Sequence, residues 1–164
     1  MKSKFLALIA FIALCAGSAL GQSDAHAAFE KLKSLQGSWT GKGSEGQSLQ
    51  VSFRLTSNGS AIMSEIATPE NMITMFHLDG DRLMMTHYCG AGNQPRMVGT
   101  LAPDGKTLSF NFLDGTNMLN SQPGHMERLV VTMIDATHHS EEWSFLERDG
   151  KMQHHELFDL HRAH

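Results

Sequence analysis

From Ser48 to Ser57 apolar and polar residues alternate without a break. Leu49, Val51, Phe53 and Leu55 are interleaved with Gln50, Ser52, Arg54 and Thr56. A period of two puts one set on the buried face of a strand and the other in water. The pattern recurs at Ser60–Ala67, Met72–Leu78, Arg82–Tyr88, Arg96–Ala102, Thr107–Leu113, Met126–Ile134, His138–Leu146 and Met152–His161. Short turn sequences separate these runs, among them Asn58-Gly59, Asp79-Gly80-Asp81, Pro103-Asp104-Gly105-Lys106 and Arg148-Asp149-Gly150-Lys151. With a strand opened by Gly37-Ser38-Trp39, they predict about ten strands joined by hairpins and no crossover helix. An all-β antiparallel meander of this length escapes raw edges most simply by closing into an up-and-down β-barrel. Only 90–95 and 114–125 read as longer loops.

Ahead of the strands the period changes. Phe29, Leu32 and Leu35 recur at three-residue spacing around Glu30, Lys31 and Lys33, which predicts a short amphipathic helix over Ala27–Leu35. The junction Leu35-Gln36-Gly37-Ser38-Trp39-Thr40-Gly41 then carries the largest apolar side chain of the first strand. A buried Trp39 would seat one end of the sheet, with its indole N–H in need of an acceptor.

The first residues have a different pattern again. Lys2 and Lys4 precede an unbroken apolar run, Phe5–Leu14, and Ala19-Leu20-Gly21 fits a small-x-small cleavage site. This predicts a secretory leader over residues 1–21 and one barrel domain over 22–164, exported to the periplasm or beyond. Ala25-His26-Ala27 is a second possible site. Cys15 stands in a lipoprotein-like position, but Leu14 before it is too bulky for the usual lipid-attachment motif. About ten apolar residues are too few to span a bilayer, so no membrane insertion is expected once the leader is removed.

Loss of Lys2 and Lys4 leaves 11 of the 13 basic residues against 17 acidic ones, a charge of −6 with histidine neutral. That balance argues against nucleic acid or an anionic membrane as partner. Cys89 becomes the one remaining thiol, so no internal disulfide can brace the fold.

A helix, then Gly-x-Trp opening the first strand, then an antiparallel meander resembles the calycin superfamily: lipocalins, fatty-acid-binding proteins and nitrobindin-like haem barrels. In that superfamily a basic residue near the end of the last strand packs over the first-strand Trp, which here implies Arg162 over Trp39. The strand number is similar to the fatty-acid-binding and nitrobindin branches. The run from Thr86 to Met97 also resembles a family of exported bacterial proteins.

Candidate chemistry lies where polar residues keep step with apolar ones. His139, Glu141, Trp143 and Phe145 share one face of a strand, as do His154, Glu156 and Phe158 on the next and Leu83, Met85 and His87 on another. If these faces turn inward, His87, His139, His154, Glu141 and Glu156 gather at one end of the cavity. There they would meet a ligand carboxylate through imidazolium, hold a metal or ligate haem. The opposite phase, with Ser140, Glu142 and Ser144 inward, would leave His139 and Glu141 in solvent. No histidine falls in a tight metal motif. A second candidate is the turn after His87, where Cys89-Gly90-Ala91-Gly92 leads to Asn93, Gln94 and Arg96, whose donors suit a carboxylate or phosphate. Cys89 beside His87 also suggests a nucleophile, but no acid partner or oxyanion donor accompanies them.

The expectation is a binding protein for a small apolar or amphipathic ligand. His87, Asn93, Arg96, His139, Glu141, Trp143, His154 and Glu156 would contact it, with Trp39 and Arg162 structural. Haem or metal binding is the rival, with no cofactor favoured. An enzyme working at the cavity mouth is a weaker third.

Overall fold

The structure of the chain, a computed structural model, describes residues 24–163, except the side chains of residues 153–155. The leader predicted over residues 1–21 lies outside the described residues. Helix α1 (Asp24–Lys33) is followed by ten strands: β1 (Gly37–Lys42), β2 (Ser48–Thr56), β3 (Ala61–Ile66), β4 (Met72–Asp79), β5 (Arg82–Tyr88), β6 (Gln94–Leu101), β7 (Thr107–Thr116), β8 (Gly124–Met133), β9 (His138–Glu147) and β10 (Met152–Arg162). Each strand pairs antiparallel with the next, and β10 returns to pair with β1, so the sheet is a closed barrel. No described helix is long and apolar enough to cross a membrane.

The helix starts three residues earlier than its periodicity predicts and stops at Lys33. Ala25, Ala28, Phe29 and Leu32 bury its inner face over one end of the barrel, against β4, β5 and β6. The possible cleavage site Ala25-His26-Ala27 falls inside this helix. The chain then turns into β1 through Gly37 at φ +128°, a conformation L side chains rarely adopt. Trp39, 1% exposed, donates its indole N–H to Leu35 O at 2.7 Å and so ties the first strand to the helix exit.

Two loops are shorter than the sequence pattern predicts. β7 runs on to Thr116 and β8 begins at Gly124, because Arg96 pairs with Asp114 and Gln94 with Thr116 across the ladder. Register shifts interrupt β6/β7 near Arg96, β8/β9 near Met126 and β9/β10 near residue 154. These bulges all lie toward the end opposite α1, where they bend strands at the barrel's rim. Asn58-Gly59, a hairpin signal in the sequence, sits in a single 3-10 turn at Ser57–Gly59, with Asn58 in the left-handed region.

Inside, alternate residues of all ten strands form one core. Phe76 and Phe110 pack with ring centroids 5.3 Å apart beside Leu83, Met85 and Met97, all buried. Core-facing methionine and phenylalanine thus fill the barrel's middle.

Candidate functional site

Polar groups run along the inner wall from His139, beside Trp39 at the helix end of the barrel, to Trp143 and His87 nearer the rim, so they do not gather at one end. On β9 the alternation turns His139, Glu141 and Trp143 inward, and the opposite phase does not occur, although Ser144 beside the bulge is buried too. Trp143 donates its indole N–H to Glu141 Oε2 at 3.0 Å, while His139 Nε2 lies 3.3 Å from Glu141 Oε1. His139 is 0% exposed and Glu141 2%, so each relies on the other for what water would supply. The His139 imidazole stands edge-on to Trp39 at 4.3 Å and to Phe53 at 5.8 Å. Its Nδ1 has no partner.

His87 enters from β5. Its Nδ1 is 2.9 Å from Thr74 Oγ1 on β4, and its ring centroid is 4.8 Å from Trp143 on β9. β5 and β9 are four strands apart around the barrel, so this contact crosses the lumen. Nε2 of His87 is buried without a partner. Burial lowers the His87 pKa to about 4, and the ring is neutral at ordinary pH. The expected capture of a carboxylate by imidazolium therefore does not apply to His87.

The rim brings other residues together. Buried Asn93 donates from Nδ2 to Gly124 O at 2.7 Å and to Gln122 Oε1 at 3.1 Å, joining the β5–β6 turn to the β7–β8 loop. Its Oδ1 has no partner. Asn93, Met118, Leu119, Gln122, His125 and Arg148 line a cavity of about 150 Å³ between those loops. Arg148 spans the loop by donating to Gln122 O at 2.7 Å and Leu119 O at 3.3 Å. His125 packs its ring 4.3 Å from Phe112 and pairs through Nε2 with Glu127 Oε2 at 3.0 Å.

Three candidates stand elsewhere. Arg96 points outward between inward Pro95 and Met97, and its guanidinium grips Asp114 through both carboxylate oxygens. Glu156 accepts from Gln47 Nε2 at 2.5 Å and from the Ser44 backbone N–H at 3.3 Å, which pins the β1–β2 turn at the rim. The His154 side chain lies outside the described residues. Cys89 is no activated nucleophile: burial pushes its thiol up, and Sγ accepts the Ala91 N–H at 3.5 Å. His125, Gln122 and Arg148 escape the sequence reading because they lie where strand alternation gives way to loop or bulge.

The inner histidines offer nitrogens chemically suited to haem iron. The space beside them does not fit the group. Both rings are buried against tryptophan, and a macrocycle on either would have to displace Trp143 or Trp39.

No protein-family model matches the chain, and no curated protein does. Among solved structures it is similar to the crystal structure of Rv2717c from M. tuberculosis, with a TM-score of 0.56 at 17% sequence identity. The match covers 84% of this chain and 98% of that one. At this identity the likeness shows the fold alone.

Proposed function

We propose that the protein is an exported, calycin-like barrel that binds a small amphipathic molecule at its open rim. The observation that carries this reading is Asn93, a buried side chain in the wall of the 150 Å³ cavity whose Oδ1 has no hydrogen-bond donor. A buried acceptor left bare costs on the order of 1–3 kcal/mol, which a ligand donor would recover. A cavity of this volume holds a body about the size of benzene. Met118 and Leu119 would cover that body. With a small rotation of its amide, Asn93 would turn Oδ1 to accept from the hydroxyl or N–H group of that body. The favoured ligand class is therefore a small ring or short chain bearing one neutral donor, rather than a fatty acid anion.

Phenol and toluene form a discriminating pair, equal in size and differing in one donor. Titration of each into 15N-labelled protein should move the Asn93 side-chain amide, and phenol should bind about tenfold more tightly, as one added hydrogen bond implies. Asn93→Leu should abolish the preference. Equal affinities, or shifts confined to residues far from Asn93, would refute the reading.

A further inference from the structure

A second cluster lies on the outer wall, away from the rim. His138 opens β9 and sits opposite His161 in the β9/β10 ladder. Their chain neighbours His139 and Leu160 are both buried inside, so alternation turns His138 and His161 outward. Asp159, two residues before His161, shares that outer face. His138 Nε2 is 2.5 Å from Asp159 Oδ1, and the two imidazoles stack with centroids 4.1 Å apart and planes 19° from parallel. One ligand atom from each of the three residues lies within 4.8 Å of the other two.

We propose that His138, Asp159 and His161 form a binding site for a divalent transition ion of the zinc class. Two imidazole nitrogens and one carboxylate oxygen are a borderline donor set, suited to zinc, nickel or copper and poorly suited to calcium or magnesium. An ion about 2.0–2.1 Å from each ligand atom needs those atoms roughly 3.3 Å apart. Small side-chain rotations reach that spacing, since all three side chains stand on one face of a two-strand ladder. Asp159 is 59% exposed at its side chain and His161 is exposed, so water completes the coordination and the site keeps an open position. Lys42 is the cation in register with Asp159 across the β1/β10 seam, and its Nζ is engaged with Ser48 Oγ at 3.0 Å. The alternative role of these residues, a surface His–Asp pair, would add little to stability and would not need the second histidine.

The test is titration of the untagged protein with zinc chloride by calorimetry, with cobalt(II) absorption as a report on ligand type. One equivalent should bind at near-neutral pH. His161→Ala should abolish that binding, and Asp159→Asn should weaken it tenfold or more, both with an unchanged far-UV circular dichroism spectrum. His125→Gln, which removes the rim His–Glu pair, should leave it intact. No saturable binding by the parent chain overturns the proposal. So does binding that survives both His161→Ala and Asp159→Asn, or that is lost in His125→Gln.

Discussion

The Arg162 guanidinium carbon stands 4.3 Å above the centre of the Trp39 ring, which joins the end of the last strand to the first. Its Nη1 donates to Gln36 O at 2.8 Å, Nη2 to Ser34 O at 3.0 Å and Nε to Ala136 O at 3.3 Å. One side chain thus satisfies carbonyls at the helix exit and the β8–β9 turn while covering the aromatic face below. Arg162→Ala should cost about 2–3 kcal/mol in urea unfolding, from the cation–π contact and the charged hydrogen bonds together. Arg162→Lys should recover only a minor part, because an ammonium cannot reproduce the planar fork. Full recovery by lysine would mean that charge alone is the relevant property.

The β1/β10 seam that closes the barrel also depends on a missing side chain. A Cβ added at Gly41 would come within 1.8 Å of Asp159 O, a backbone atom that cannot step aside. Gly41→Ala should therefore force the strands apart and cost at least about 3 kcal/mol, the upper end of ordinary overpacking. Gly46→Ala is the control, since a Cβ there meets nothing within 4 Å. Gly46 sits at φ +79°, so that variant should show only a modest left-handed strain. Similar melting temperatures for the two variants would contradict this account of the seam.

His87 makes stability depend on acid. Its folded pKa, about 4, lies below the unfolded value near 6.5, so between them the unfolded chain binds more protons. Its contribution is complete above pH 6.5 and is lost as pH falls toward 4, a change on the order of 3 kcal/mol. Thr74 and Trp143, the groups against the ring, do not titrate in this window, so burial is the cause. Urea midpoints at pH 7 and pH 4.5 should therefore separate strongly for the parent chain and less for His87→Gln. Parallel pH profiles for the two would place the acid sensitivity elsewhere.

Strand identity is legible in the sequence because period-two alternation and turn residues are local properties of the backbone. Ladder extension is not. Asp114–Thr116 and Gly124–His125 are polar or glycine-rich and look like loop, and only pairing with Gln94–Arg96 on one side and β9 on the other makes them strand. The same distinction runs through the site. Alternation from Trp143 back to His139 gives their shared inward face, and the same alternation against buried Met97 turns Arg96 outward. A bulge leaves no such guide. The register shift near residue 154 breaks the count along β10 only before Glu156, which stays in register with Trp143 and reaches the rim, where it holds Gln47. Cavity walls made by two loops, such as Asn93 against Gln122, depend on tertiary closure that no local pattern encodes.

Glu141 is the hinge of the inner polar chain, and its replacement separates a hydrogen-bond requirement from a charge requirement. With the carboxylate removed by Glu141→Ala, the Trp143 indole N–H and His139 Nε2 are both left bare in the barrel interior. Two buried unsatisfied groups, with a cavity between them, should cost about 3–5 kcal/mol. Glu141→Gln keeps an acceptor oxygen for the indole at nearly the same volume, and should cost only about 1 kcal/mol. Trp143 supplies its own readout, since loss of its hydrogen bond changes its fluorescence in the alanine variant before any unfolding. A small, equal cost in the two variants would mean that water replaces the carboxylate, and that the inner wall along β9 is wetter than its packing indicates.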